Sequence, residues 1–355
     1  MDRSLIRAAT VGCGRMGAFP SDSSKWLPSN WHPIAHLDSL KCNDSILIVG
    51  AVETSNIIRK KVRDFYSIQT YKNIDSLLKQ NQLDLITVAT RTPAKLEIIK
   101  SAYDRGVRLF HIEKPLCNSM DELEQFEKIL SNCSVTYGCL RRYVTPFTNI
   151  TKYASNNNLG KLQLIQVCMG KSMLYWTHTH AIDYLLMQIK SPPKSVQAIF
   201  DNIDLSSDGT TVNNDPTIKS ATIYFENGEV GLVSSVPGNS FIHVYEHGVI
   251  TIKNDGKSVV LGRKIGGDPY PTETLLDITQ IEHGSTGNAI SLLANAYLIG
   301  GEYKKQVDSA RDAAFLGQRI MFAMVESHIH DGKNVSIDRL NKAYTLKGLF
   351  NGVPA

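Results

Sequence analysis

The chain has 355 residues, a formal net charge of +4, and 42% hydrophobic and 20% charged residues. At roughly 150 residues per domain, that length accommodates two soluble domains with their own cores. A near-even charge balance without a basic stripe argues against nucleic acid or an anionic membrane as partner, and no apolar run approaches the ~18 residues of a membrane span.

Met1–Ile6 carries one basic residue and a short apolar stretch, too little for the apolar region and cleavage site of a signal peptide. It reads instead as the entry to a first strand. The six cysteines (Cys13, Cys42, Cys117, Cys133, Cys139, Cys168) are scattered without a C-x-x-C pair. This predicts no structural metal and no disulfide framework, and fits a reducing cytoplasm.

Leu5–Val11 is an apolar run ending in glycines, as a buried parallel strand does. Further strands are predicted at Ser45–Val52, Asp84–Thr90 and Leu109–Ile112. Helical patterns fall at Ile74–Gln80, after the second strand, and at Pro93–Arg105, which stops at Gly106. Another runs from Ser119 to about Leu130, opened by a capping serine and early acids. Alternation of strand and helix over this half predicts a doubly wound parallel sheet.

The second half reads as α+β with a largely antiparallel, open sheet. Leu162–Met169 is one strand, and Ala221–Phe225 and Val230–Ser235 flank the hairpin signal Glu226-Asn227-Gly228-Glu229. Strands follow at about 241–246, 248–253 and 257–262, then two long helical patterns at about 286–302 and 306–331. The domain boundary is placed so that residues 1–143 form the first domain and 144–355 the second.

Gly12-Cys13-Gly14-Arg15-Met16-Gly17 fits G-x-G-x-x-G directly after the first strand. The first glycine permits a tight turn, the second lets the backbone approach a pyrophosphate, and the third lets helix pack on strand. This predicts a Rossmann dinucleotide-binding domain. The acid expected at the end of the second strand is Glu53, which suits the ribose hydroxyls of NAD and repels a 2′-phosphate. Arg59, Lys60 and Lys61 offer the alternative of NADP, or simply a wet helix face. From Gly17 to Glu53 is 53 − 17 = 36 residues, against roughly 20 in the usual unit. The excess lies in Ala18–Trp31, where Pro20 is expected to end or kink the helix begun at Gly14, with helix resuming near Pro33. This inserted segment, with Trp26 and Trp31, is expected to touch substrate.

With these features the sequence resembles the glucose–fructose oxidoreductase / inositol dehydrogenase / rhizopine-catabolism (Gfo/Idh/MocA) family over nearly its whole length. The resemblance is carried by Thr92-Pro93, by Glu113-Lys114-Pro115-Leu116 and by Arg141-Arg142-Tyr143 followed by Pro146. It is carried further by His180-Ala181-Ile182-Asp183 leading into Tyr184-Leu185-Leu186, and by the Phe225–Gly228 hairpin. It implies cofactor contacts from Gly12, Gly14, Arg15, Met16, Gly17, Glu53, Thr90, Thr92, Pro93, Glu113 and Lys114, with NAD as cofactor and NADP possible.

The resemblance also implies that Lys114 lies beside the nicotinamide and that His180 exchanges the substrate proton. A near-neutral histidine suits proton transfer, and an ammonium suits a developing alkoxide. Substrate contacts are expected from Arg142, Tyr143, Trp176, Asp183 and Trp26, with His178 in a supporting role. Two positions depart from the family pattern. Trp176 stands where many members carry an aspartate four residues before the histidine, and Lys95 stands near a common histidine position.

The implied function is an oxidoreductase acting on a secondary alcohol or ketone of a sugar, nucleotide sugar, aminosugar or cyclitol. Rival readings are a same-fold hydrolase, lyase or imine reductase, and a cofactor-binding regulator. A homodimer or homotetramer through the second sheet is expected, because an open sheet face needs cover.

Overall fold

Six short apolar runs pair in parallel: Ile6–Val11 (β1), Ile46–Val52 (β2), Thr70–Tyr71 (β3), Leu85–Val88 (β4), Leu109–Ile112 (β5) and Ser134–Tyr137 (β6). Their order is β3-β2-β1-β4-β5-β6, so the chain steps outward from β1 to β3 and then crosses back to β4. The direction of winding therefore reverses between β1 and β4, where ligands of such sheets bind at the carboxyl ends. The helices are His36–Lys41 (α1), Asn56–Tyr66 (α2), Ile74–Gln80 (α3), Lys95–Asp104 (α4) and Met120–Leu130 (α5). The computed structural model describes residues 5–264, 269–277, 284–350 and 353–354.

Two elements intervene where α3 was expected to follow β2 directly. Helix α2 is capped by Ser55, whose Oγ accepts from Ile58 N at 3.4 Å. Among its eleven residues only Val62 is buried, so its run of charges hides the apolar periodicity. Strand β3 is two residues long, too short for a pattern to show, and β6 (Ser134–Tyr137) alternates polar and apolar residues where β2, β4 and β5 are mostly apolar runs.

Contacts divide the chain into two units. The first comprises 1–117, 121–143 and 282–315, and the second 118–120, 144–281 and 316–355. Helix Ser285–Leu298 (α8) thus belongs with the parallel sheet. Its Ile290, Leu293 and Ala294 share a core with Ile6, Ala8, Leu85 and Leu109, each large aliphatic side chain contributing about 1.5–3 kcal/mol on burial. Helix Gly301–Ile329 (α9) gives its first half to the first unit and the remainder to the second. Gly300 and Gly301, with φ of +74° and +60°, separate α8 from α9.

The second unit contains Ile150–Asn156 (α6), Leu162–Cys168 (β7), Thr179–Gln188 (α7) and Pro193–Asn202 (β8). After the short Thr211–Val212 (β9) come Thr217–Phe225 (β10), Val230–Ser234 (β11), Ser240–Tyr245 (β12), Gly248–Lys253 (β13), Ser258–Arg263 (β14), Thr272–Leu276 (β15) and Val335–Ser336 (β16). Nine of these strands form one sheet in the order β15-β14-β13-β12-β7-β11-β10-β8-β16. Every pair is antiparallel except β7 with β11.

One face of this sheet packs on α7. A Cβ at Gly231 would lie 2.8 Å from a Leu185 methyl, so a glycine is what lets helix and sheet approach there. Tyr184 meets Phe241 at 4.5 Å between ring centroids and shares a 2.9 Å hydrogen bond with His243 Nε2. No described helix is long and apolar enough to cross a membrane.

Candidate functional site

The chain turns sharply at the end of β1. Gly12 sits at φ +88°, and a Cβ there would come within 2.8 Å of Ala89 O and 3.1 Å of Thr90 Cγ2, so only glycine fits. Nothing lies within 4 Å of the Cβ position of Gly14, whereas at Gly17 a Cβ would collide with Gly12 O at 1.8 Å. The three glycines therefore make a tight turn, an open backbone face and a close helix contact. Glu53, at the end of β2, accepts from Cys13 N at 3.0 Å and from Ser55 N at 2.9 Å. Thr90 Oγ1 is buried without a hydrogen-bond partner. An open glycine face, an acid fixed beside it and an orphaned hydroxyl fit a dinucleotide.

The helix after this turn is interrupted. Gly14 O accepts from Ala18 N and Phe19 N, both at 3.0 Å, and the chain then leaves. It returns so that His36 N donates to Met16 O at 2.8 Å and Leu37 N to Gly17 O at 3.0 Å. Residue 36 occupies the bonding position that residue 20 would hold in a continuous helix. Sixteen residues are spliced in, which equals the excess in the Gly17-to-Glu53 spacing. The expected resumption near Pro33 begins at His36.

The excursion contains two turns of 3₁₀ helix, Asp22–Trp26 and Ser29–Trp31. Its two tryptophans differ. Trp31 is 3% exposed, lies 5.4 Å from the Arg141 guanidinium, and its carbonyl accepts from Ser285 Oγ at 3.1 Å. Trp26 is 76% exposed, with Lys25 Nζ 5.6 Å from its ring.

At the end of β5, Glu113 and Lys114 diverge. The Glu113 carboxylate turns inward to His36 Nε2 at 3.2 Å. Burial alone would raise its pKa, but the His36 hydrogen bond, with the nearby Lys114 charge, holds it below the usual carboxylate range. His111 bonds Thr136 Oγ1 at 3.0 Å and is pushed down to about 3 by burial, so it is neutral at pH 7. Lys114 is half-buried. Lys95 is fully buried, and its ammonium donates to Glu113 O and Pro115 O, each at 2.5 Å. Arg15 is exposed and feels the charges of Arg91 and Glu113. Thr92 is buried, and Thr92–Ala94 is a 3₁₀ turn leading into α4.

In the second unit, Leu174–His178 winds as a π-helical turn before α7, with Thr177 N and His178 N both reaching Met173 O at 3.1 Å. Asp215 caps it: its two oxygens accept from Tyr175 N at 2.8 Å and Trp176 N at 3.0 Å. The Tyr175 hydroxyl accepts from Gln318 Nε2 at 3.1 Å. His178 is buried and pushed down to about 4 by that burial, while His180 and Trp176 are half-exposed and Asp183 is buried. In the first unit, Arg142 is half-exposed, whereas Tyr143 is 6% exposed and its hydroxyl accepts from Tyr137 N at 3.0 Å.

Residues 6–139 match the model of the Gfo/Idh/MocA oxidoreductase family, NAD-binding Rossmann fold. The likeness to that family is confined to the parallel-sheet domain. No curated protein matches the chain. Among solved structures, an oxidoreductase from Desulfitobacterium hafniense, proposed to be NADPH-dependent, aligns at TM-score 0.74 and 14% identity, covering 94% of this chain and 98% of its own. Aldose–aldose oxidoreductase from Caulobacter crescentus aligns at 0.73 and 14%, covering 94% and 99%. UDP-N-acetylglucosamine 3-dehydrogenase from Acidithiobacillus ferrooxidans aligns at 0.66 and 14%, covering 91% and 98%. At such identity these likenesses establish the fold alone.

Within the matched domain the structure brings together the glycine turn, Glu53 and Thr90 around one end of β1. Three polar residues of the two units went unnoticed in the sequence: His36, Asp215 and Gln318. His36 was hidden because its partner Glu113 is 77 positions away. Asp215 has no helical spacing to the segment it caps.

Proposed function

We propose that this protein transfers a hydride between a nicotinamide dinucleotide and a secondary alcohol or ketone of a sugar, nucleotide sugar, aminosugar or cyclitol. The observation that carries the reading is the glycine turn at the reversal of strand order, with Glu53 bonded to Cys13 N and Lys114 at the end of β5, the second strand along on the far side of the reversal. The bound nicotinamide supplies the hydride donor or acceptor. Lys114 stabilises the charge that develops on the substrate oxygen, and His180 takes or returns the hydroxyl proton. Half-exposure of His180, against full burial of His178, supports giving the proton to His180. Arg142, Tyr143, Trp176, Asp183 and Trp26 are proposed to contact substrate, Tyr143 through its ring since its hydroxyl is engaged.

Glu53 favours NAD(H) over NADP(H). A second copy is proposed to cover the outer face of the nine-stranded sheet, where Leu232, and beyond β7 the residues Ile242, Thr251 and Val260 on three successive strands, are half-buried. A monomer by light scattering would set that aside.

A panel of sugars, nucleotide sugars and inositols with NAD and NADP, followed by nicotinamide absorbance, tests the reaction. Turnover on at least one member is expected. Lys114→Ala is expected to lower that turnover by roughly 10²-fold while cofactor still binds. Cofactor binding without turnover across the panel would overturn the reading and indicate a regulator, and near-normal turnover of Lys114→Ala would remove Lys114 from the mechanism.

A further inference from the structure

Lys95 is the first residue of α4 and is fully buried. An uncompensated buried ammonium is costly, so such a group survives only where its donors are used. Here they go to two main-chain carbonyls, Glu113 O and Pro115 O, both at 2.5 Å. These carbonyls belong to the residues on either side of Lys114. The peptide plane that enters Lys114 and the one that leaves Pro115 are thereby tied to a single nitrogen.

We propose that Lys95 is a positioning residue for Lys114, clamping the main chain on both sides of it and so aiming its ammonium. The proposal rests on the reading of Lys114 as the charge that meets the reacting oxygen.

The donor type matters. An ammonium has three donors on a flexible stem and can bridge two carbonyls that face it. An apolar side chain would fill the same space but leave both carbonyls without a partner, and the turn would shift to find new ones. Burial pushes Lys95 down to about 7, against the pull of the Glu113 carboxylate and with the Lys114 charge acting in the same direction as burial. The charged and neutral forms can both donate, so the clamp is retained across neutral pH. The clamp also follows the Thr92–Ala94 turn without a break, so the segment expected to touch cofactor is the one that holds Lys114 in place. Misplacing a reacting group by a fraction of an ångström is enough to cost rate without costing affinity.

The test uses Lys95→Met, which removes the donors at similar volume, and Lys95→Gln, which keeps an amide donor on a shorter arm. Reductive methylation with carbon-13 formaldehyde labels the half-exposed Lys114 and spares buried Lys95, and Lys114→Arg assigns the signal. In Lys95→Met the Lys114 dimethylamino signal is expected to move toward that of freely exposed lysines, with Lys95→Gln between the two. On a substrate from the panel, kcat is expected to fall about tenfold or more while the NADH Kd stays within about twofold. An unmoved Lys114 signal in folded Lys95→Met, or an unchanged kcat, overturns the proposal. If Lys95→Met fails to fold, Lys95→Gln is read by the same two measurements. If Lys114→Ala itself keeps full turnover, the catalytic reading of Lys114 falls, and the resonance alone then decides whether Lys95 aims it.

Discussion

The proposed preference for NAD(H) rests on a single carboxylate, Glu53. Both its oxygens accept main-chain or hydroxyl donors, from Cys13 on one side and from Thr54 and Ser55 on the other, so the negative charge is fixed beside the glycine turn. A 2′-phosphate placed there meets a like charge. Fluorescence titration with NADH and NADPH should show NADH binding tighter, and Glu53→Ala should narrow the gap by roughly tenfold, or about 1.4 kcal/mol. Tighter NADPH binding by the unaltered protein would refute this and bring forward the alternative cation set, Arg59, Lys60 and Lys61. Arg59 is engaged by the main chain, donating to Glu53 O at 2.6 Å and Thr54 O at 2.7 Å. At this scale the sequence shows residues whose place follows from one strand end. Gly12, Glu53 and Lys114 each stand at the carboxyl end of a readable strand. It does not show Lys95 reaching carbonyls 18 and 20 positions away, because a buried lysine has the same letter as a wet one.

The spliced helix separates what composition could say from what it could not. Spacing gave the insertion's length, which agrees with the sixteen residues between the two halves of the bonded turn, and composition with Pro20 located it in Ala18–Trp31. Composition treated Trp26 and Trp31 alike, since both sit in a stretch rich in serine and proline. Burial distinguishes them. Trp31→Ala should cost about 3–5 kcal/mol of stability, as large-to-small changes of a buried aromatic do, and lower the melting temperature. Trp26→Ala should leave melting unchanged within about 1 °C, because its ring is 76% exposed, and raise the substrate KM several-fold with cofactor affinity intact. An unchanged KM for Trp26→Ala would make this side chain a surface feature and withdraw it from the substrate contacts. Long elements were read well in the same way: α8 and α9 were expected as two helices, although the break falls at Gly300 and Gly301. Their amphipathic pattern could not say which sheet they cover, since any apolar face serves; burial of Ile290 and Leu293 with Ile6 and Leu85 decides it.

At the scale of the molecule, the buried titratable groups set how stability follows pH. His111, His178 and His243 are pushed down to about 3, 4 and 3 by burial. Between those values and the ordinary 6.5 the unfolded chain binds protons that the folded chain refuses, so stability is lost as pH falls below about 6.5. Three such protons give a slope of at most about 4 kcal/mol per pH unit. Lys95 acts in a higher window with the same sign. Its folded value of about 7 lies under the ordinary 10.5, so above pH 7 the folded form has released a proton that the unfolded form retains, and stability rises further. The buried thiols oppose this. Cys13 and Cys133 are raised to about 12 and 11, first by burial. Above their ordinary value of 9.0 the unfolded chain ionises while the folded chain stays protonated, so stability falls. The two trends cross near pH 8–9, above the usual pH 5–8 range of greatest stability. Melting temperatures measured from pH 5 to pH 10 should climb through neutrality, peak near pH 8–9 and then decline. Lys95→Met should flatten the climb between pH 7 and pH 9 and leave the loss below pH 6.5 intact. A profile with its maximum near pH 6 would contradict the assignment of these histidines as neutral and buried.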